Sequence, residues 1–384
     1  MDATPLERMS VVLLLALVGA CAGPKSSQAA DPAVERGAAN YARYCATCHG
    51  PQGNGYVADN APSLRSPTFL ATATDAFLEA AILRGRPGTA MGGYARSSGG
   101  PLGPAEAKEV IAFLRAGGPP RVELSQRAPA GDAAAGKVVY DAFCLRCHGS
   151  KVQRISAIHL ANPVLLETAS DAFLRHAIEV GRPPTSMVPW KGALTDKQID
   201  DVLRYIRSFA SPTAPPVAAA VAPPLPPAAP RTGPIVLNPK GRHPTFVLRE
   251  DRFVSIDQVK AAMDAKRRMI IADARAPSEW ANLRIAGAIS TPYYDAKSLD
   301  DIPNDGTWVL AYCACPHHVS GEVVDALRKR GYKNTAVIDE GVFAWQQKGY
   351  PIVAAPGAVP TPAPPPARPP APAEAPSPPQ RKNN

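Results

Sequence analysis

Cys45-Ala46-Thr47-Cys48-His49 recurs 99 residues later as Cys144-Leu145-Arg146-Cys147-His148, and a methionine follows each copy, Met91 and Met187. Two cysteines one helical turn apart can bond to the two vinyl arms of one haem, and the adjacent histidine reaches the iron from the same turn. Taken singly, such a pentapeptide also fits a thiol motif or half of a zinc site. A zinc centre would need the two cysteine pairs to meet, whereas each pair sits in its own repeat unit. Methionine ordinarily fills core space. Of the six in the chain, however, Met91 and Met187 alone hold equivalent places in the two copies, which marks them as second axial ligands. His159 lies between His148 and Met187 without a counterpart in the first copy, and is read as surface or core.

The copy extends well beyond the pentapeptide. Gly37, Tyr41 and Cys45 are spaced by four, and Gly136, Tyr140 and Cys144 repeat that spacing. Asp75-Ala76-Phe77-Leu78 returns as Asp171-Ala172-Phe173-Leu174, and Gly85, Met91 and Tyr94 share that offset with Gly181, Met187 and Trp190. Val110, Phe113 and Leu114 come back as Val202, Tyr205 and Ile206. A repeat of roughly 90 residues is too long for one solenoid unit and fits a duplicated small domain. Thr195-Asp196-Lys197-Gln198 forms a capping box for the last helix of the second copy. The first copy has no such cap, so Pro104 opens its last helix with Glu106 in the first turn.

These residues resemble class I cytochromes c over about 31–118 and 132–210. The resemblance implies two all-α domains, each with a glycine- and aromatic-bearing first helix crossing an aromatic-bearing last helix. Gly37 and Tyr41 would then meet Phe113, and Gly136 and Tyr140 would meet Tyr205. It also implies two covalently bound haems c. Cys45 and Cys48 would tether one and Cys144 and Cys147 the other, with His49 and Met91, then His148 and Met187, as axial ligands. With both axial positions filled, no iron site remains open for substrate, and thioether ligation favours ferrous iron. The haems therefore read as electron carriers.

Arg8 precedes the apolar run Val11 to Val18, which is too short to span a bilayer and has the proportions of a signal-peptide core. The run ends Val18-Gly19-Ala20-Cys21, which resembles the bacterial lipobox. Residues 1–20 would be removed and Cys21 lipidated, anchoring the chain to a membrane face. Alanine at position 22 points, by the same resemblance, to the outer membrane. Cleavage after Ser27-Gln28-Ala29, releasing a soluble protein, is the alternative. Either route places the domains on the periplasmic side, where c-type haem is attached.

A length of 384 residues allows two to three domains. Nine of the 44 prolines fall in 211–234 and twelve in 356–379, so a linker at 211–244 and a tail at 356–384 should be extended and semi-rigid. The net charge of +9 is spread thinly: 31–118 holds eight basic against seven acidic side chains, and 245–353 holds fourteen of each. Nucleic-acid binding does not follow from such a balance.

Residues 245–355 change character. Apolar runs at Met269–Ala272, Val309–Tyr312 and Thr335–Ile338 alternate with a helical stretch from Gly321 to Arg330, the pattern of a parallel α/β sheet. Ligand sites in such sheets lie beyond the carboxyl ends of strands, where Cys313 falls. Asp273-Ala274-Arg275, Glu279-Trp280, Ile285-Ala286-Gly287-Ala288, Tyr312-Cys313, Gly341 and Trp345 resemble the rhodanese family. The resemblance makes Cys313 a thiolate that accepts sulfane sulfur as a persulfide, with Asp273 and Arg275 structural or bordering the site. The loop Cys313-Ala314-Cys315-Pro316-His317-His318-Val319-Ser320 departs from the family, since Val319 stands where an arginine would hold an anionic donor. Cys315 could attack a loaded or oxidised Cys313, closing a small strained disulfide ring. His317 and His318 could stabilise the thiolate, and zinc held by these four side chains is a lesser rival.

The whole reads as a multidomain protein: two all-α cytochrome c domains, then an α/β rhodanese-like domain with a parallel sheet. It would shuttle electrons between redox partner proteins and a sulfane-sulfur or thiol substrate, two haems matching a two-electron oxidation. The proline-rich linker would let the domains approach without fixing them. The alternative is a pure electron-transfer lipoprotein whose third domain only docks a partner.

Overall fold

The computed structural model describes residues 31–58, 60–210, 234–314 and 318–355. The expected signal peptide with Cys21, most of the linker, Cys315, His317 and the proline-rich tail lie outside the described residues. Among the described residues no helix is long and apolar enough to cross a membrane.

The first copy folds as α1 (Pro32–Tyr44), α2 (Ala46–His49), α3 (Pro67–Thr72), α4 (Asp75–Arg84) and α5 (Pro104–Arg115). The second repeats this order as α6 (Ala133–Phe143), α7 (Leu145–His148), α8 (Pro163–Thr168), α9 (Asp171–Val180) and α10 (Asp196–Arg207). α1 crosses α5, and α6 crosses α10, as the glycine positions imply. A Cβ at Gly37 would stand 1.9 Å from the carbonyl oxygen of Glu109, and one at Gly136 1.9 Å from that of Asp201. Only a hydrogen fits. Tyr41 packs on Phe113 with ring centroids 5.0 Å apart, and Tyr140 on Tyr205 at 5.2 Å. The buried Tyr41 and Tyr140 hydroxyls donate to the carbonyls of Gly50 (2.8 Å) and Gly149 (2.7 Å), tying each cysteine-bearing turn to its helix crossing. The caps also follow the sequence. Thr195 Oγ1 accepts from Gln198 N–H at 3.2 Å, while Glu106 Oε2 accepts from Gly103 N–H at 2.8 Å ahead of Pro104.

The two copies are not independent globules. Their buried side chains form one apolar core, in which Phe77 packs on Phe173 at 5.0 Å and Phe69 on Phe173 at 6.2 Å. Polar contacts flank that seam. Ser66 Oγ donates to Pro183 O at 2.8 Å, Thr68 Oγ1 to Gly181 O at 3.0 Å, and Asn162 Nδ2 to Pro87 O at 2.9 Å. Arg84 pairs with Glu167 across it at 2.5 Å. Complete repeat units they are, but they bury apolar surface against each other as well as internally.

The remainder contains β1 (Phe253–Val254), α11 (Ile256–Asp264), β2 (Met269–Asp273), α12 (Pro277–Asn282), β3 (Leu283–Ile285), β4 (Ile289–Ser290), β5 (Trp308–Tyr312), α13 (Val319–Lys329), β6 (Thr335–Ile338), α14 (Gly341–Gln347) and β7 (Ile352–Ala354). Five strands pair in parallel in the order β1-β6-β5-β2-β4, and β3 pairs antiparallel with β7. β2 and β6 are buried from end to end, and β5 is buried except at Trp308, because apolar clusters pack on both faces of the sheet. Continuous apolar runs are what that environment selects.

Candidate haem and cysteine sites

The two histidines of the repeated pentapeptide sit in the same chemical setting. His49 Nδ1 lies 2.9 Å from Pro62 O, and His148 Nδ1 lies 2.8 Å from Ile158 O. A carbonyl only accepts, so Nδ1 carries the proton and the Nε2 lone pair is left for a metal. Burial pushes both imidazoles below their usual range, which keeps them neutral. Burial also pushes the Cys45 thiol up to about 12 and the Cys144 thiol up to about 11. That is the reverse of a thiolate zinc site and suits thioether chemistry. No group of three or more His, Cys, Asp or Glu side chains gathers as a metal site among the described residues.

The structure brings the predicted residues of the second copy together. Cys144, Cys147, His148 and Met187 line one cavity of about 210 Å³, walled by Leu165, Phe173, Ile178 and Trp190. The methionine loops are built alike in both copies. Met91 O accepts from Arg86 N–H at 2.7 Å and Met187 O from Arg182 N–H at 2.8 Å. Thr89 Oγ1 accepts from Met91 N–H at 3.1 Å and Thr185 Oγ1 from Met187 N–H at 3.2 Å. His159 is half-buried, its Nε2 2.9 Å from Ser150 O.

Two residues escaped the sequence reading, although the repeat carried their signal. Arg86 and Arg182 occupy equivalent positions, and burial lowers each guanidinium to about 10. Arg86 stacks over Phe77 at 5.0 Å and Arg182 over Phe173 at 4.8 Å. Among the described residues Arg86 Nη1 and Arg182 Nη2 have no hydrogen-bond partner. Arg182 lines the cavity that holds Cys144 and His148. A buried cation with an unused donor fits a ligand that brings its own anion, as a haem brings propionates.

Cys313 lies just past β5, only 2 % exposed, and accepts a hydrogen bond from Ser320 Oγ at 3.3 Å. Asp273 and Arg275 take the structural role. Arg275 grips Asp273 through two nitrogens at 2.9 and 2.6 Å, and the Tyr312 hydroxyl donates to Asp273 Oδ2 at 2.5 Å. The guanidinium also donates to Leu283 O at 2.5 Å, so it braces the strand ends.

Cys313 shares a small cavity of about 40 Å³ with Arg275, Glu279 and Tyr293, and with Tyr44, Cys48, Ala90 and Tyr94 of the first copy. Burial drives the Glu279 carboxyl up to about 8, partly countered by Arg275 at 3.8 Å. Specific contacts hold the domain there. Ser278 Oγ donates to Gly93 O at 2.8 Å, Tyr293 OH to Tyr44 O at 2.9 Å, and Arg43 Nη2 to Tyr294 O at 2.7 Å. The expectation that the linker leaves the domains unfixed is therefore corrected. The buried Ser278 hydroxyl, the half-buried Tyr293 hydroxyl and the exposed Arg43 guanidinium each find a partner across this contact, which sets one docked arrangement.

A family described as cytochrome c oxidase, cbb3-type, subunit III matches residues 32–114 and 131–206, and the rhodanese-like domain family matches 255–348. No curated protein matches the chain. Among solved structures, the chain is similar to a reducing HAO-like protein complex of Kuenenia stuttgartiensis. That match has 19% identity and a TM-score of 0.33, covering 46% of this chain and 96% of that one. It is also similar to a rhodanese-like domain from Anabaena sp., at 20% identity and a TM-score of 0.26, covering 35% and 96%. A thiosulfate sulfurtransferase from Pseudomonas aeruginosa matches at 23% identity and a TM-score of 0.24, covering 27% and 20%. The chain joins two cytochrome c domains to a rhodanese-like domain built on a five-stranded parallel sheet.

Proposed function

We propose that this protein is a dihaem c-type cytochrome that carries electrons on the periplasmic side of a bacterial membrane, held there by lipid on Cys21. Its rhodanese-like domain ties that transfer to sulfur or thiol chemistry. One observation carries the electron-transfer reading: a neutral, Nδ1-bonded histidine, a paired set of cysteines and a methionine converge on one cavity in the second copy, and the first repeats the local structure. Bound haem would supply a one-electron couple. Cys45 and Cys48 would tether one group, with His49 and Met91 as its axial donors. Cys144, Cys147, His148 and Met187 would do the same for the other. The Pro62 and Ile158 carbonyls orient the imidazoles, Arg86 and Arg182 offer N–H donors to carboxylates, and the apolar walls keep water away.

At Cys313 the chemistry the fold supports is sulfur transfer. The thiolate attacks a sulfane sulfur, the donor's S–S bond breaks with its thiolate leaving, and a Cys313 persulfide forms, ready to pass that sulfur to a nucleophile. The 2 % exposure of Cys313 favours a second reading, in which the domain is a non-catalytic docking module. Haem-stained gels with absorption spectra of wild type, Met91→Ala and Met187→Ala test the carrier reading. Two haems per chain are expected, each variant losing one methionine-to-iron charge-transfer band, and unmodified cysteine pairs would end it. Sulfurtransferase assays on wild type and Cys313→Ala, with several donors, separate the two readings of the third domain. Mass analysis of the mature N-terminus tests lipidation at Cys21.

A further inference from the structure

The repeat displays one face twice, and the two copies treat it differently. In the first copy this face comprises Tyr44, Thr47, Gly92 and Tyr94, and the rhodanese-like domain covers it. Tyr294 packs edge-on against Tyr44 at 5.4 Å, and the Tyr293 and Tyr94 hydroxyls lie 3.2 Å apart. Thr47 Oγ1 donates to Glu322 Oε1 at 3.2 Å, and Glu279 presses on Gly92. The occupant is thus an aromatic patch flanked by the carboxyl groups of Glu279 and Glu322.

The equivalent residues of the second copy are Phe143, Arg146, Val188 and Trp190. Phe143 is 42 % and Val188 54 % exposed, Arg146 is exposed, and Phe143 packs on Trp190 at 5.3 Å. Arg146, Val188 and Trp190 line the cavity that holds Cys144, His148 and Met187. The residues differ as the surroundings require. A Cβ at Gly92 would stand 2.2 Å from Glu279 Oε2, whereas Val188 carries a full side chain. Where the neutral Thr47 meets a carboxylate, the second copy presents a guanidinium, and the exposed Lys191 adds another positive charge.

We propose that this face of the second copy docks a separate electron-carrier protein whose contact patch carries aromatic or apolar side chains, as the internal occupant does, rimmed by carboxylates that meet the exposed Arg146 and Lys191. The proposal rests on reading the two copies as haem electron carriers. The first copy faces the chain's own Cys313, and the second faces another molecule. Clustered large apolar side chains mark such surfaces, and charge complementarity acts mainly on the encounter rate.

The test mixes reduced full-length holoprotein with an oxidised acidic cupredoxin and, separately, with a basic class I cytochrome c, over a range of salt. The acidic carrier should react faster, with a rate that falls as salt rises. Val188→Glu and Arg146→Glu should each slow that reaction about tenfold or more, while Val247→Glu, on a side chain 79 % exposed in the rhodanese-like domain, stays within about twofold. Hydrogen exchange in the presence of redox-inert zinc-substituted cupredoxin should slow at 143–147 and 187–191 but not at 90–94. A chain whose haems fail to reduce removes the carrier reading itself. Normal reduction with all three variants alike, or with equal rates for both carriers, overturns the docking proposal. So does a dimer in sedimentation that Val188→Glu abolishes, since a second copy would then be the occupant.

Discussion

At His49 and His148 the position of a single proton separates a metal-ready imidazole from an ordinary buried one. The Pro62 and Ile158 carbonyls hold that proton on Nδ1. Glu279 poses the opposite problem, because its carboxyl is buried and titrates near pH 8. Unfolded, it would lose its proton in the usual carboxylate range. Between that range and about pH 8 the folded chain keeps a proton the unfolded chain has released. Unfolding free energy should therefore fall as pH rises through this window and level off above it. Urea titrations of Glu279→Gln across pH 5 to 9 should show a flatter pH profile than wild type, and identical profiles would show that Glu279 does not titrate there. Tyr312→Phe removes a buried hydrogen bond to Asp273 and should lower stability by about 1–3 kcal/mol in the same measurement.

Among the elements, the helix crossings depend most tightly on single residues. Gly37→Ala or Gly136→Ala would drive a methyl group into a backbone carbonyl that cannot swing aside. Each should cost at least about 2 kcal/mol, seen as a lowered Tm by circular dichroism. Thr195→Ala removes the cap from α10 and should cost about 1 kcal/mol in the same melt. These features were legible in the chain because they are local. A glycine four residues before a tyrosine, a threonine three before a glutamine, and an unbroken apolar run each point to one element. The shared core of the two copies was not legible. Phe69, Phe77 and Phe173 look like interior residues of their own domains, and nothing in their spacing tells that they meet one another.

For the whole molecule, the decisive contact is the seat of the rhodanese-like domain on the first copy. Gly92→Val should lift it away, since the side chain would collide with Glu279. Hydrogen exchange at 276–279 and 293–294 should then rise by about tenfold or more, and unchanged exchange would contradict the docked arrangement. By itself the sequence determined the duplicated Cys-x-x-Cys-His pattern, the helix crossings, the parallel strands and the placing of Cys313 at a strand end, because local spacing and side-chain chemistry specify each of them. Only the tertiary structure decided that Cys48 and Cys313 border one cavity, that Arg86 and Arg182 are buried with spare donors, and that one of two equivalent faces is taken. Those facts depend on surfaces meeting across long stretches of chain, 185 residues from Ser278 to Gly93 and 114 from Arg182 to Thr68, where packing and desolvation set the outcome and no local pattern records it.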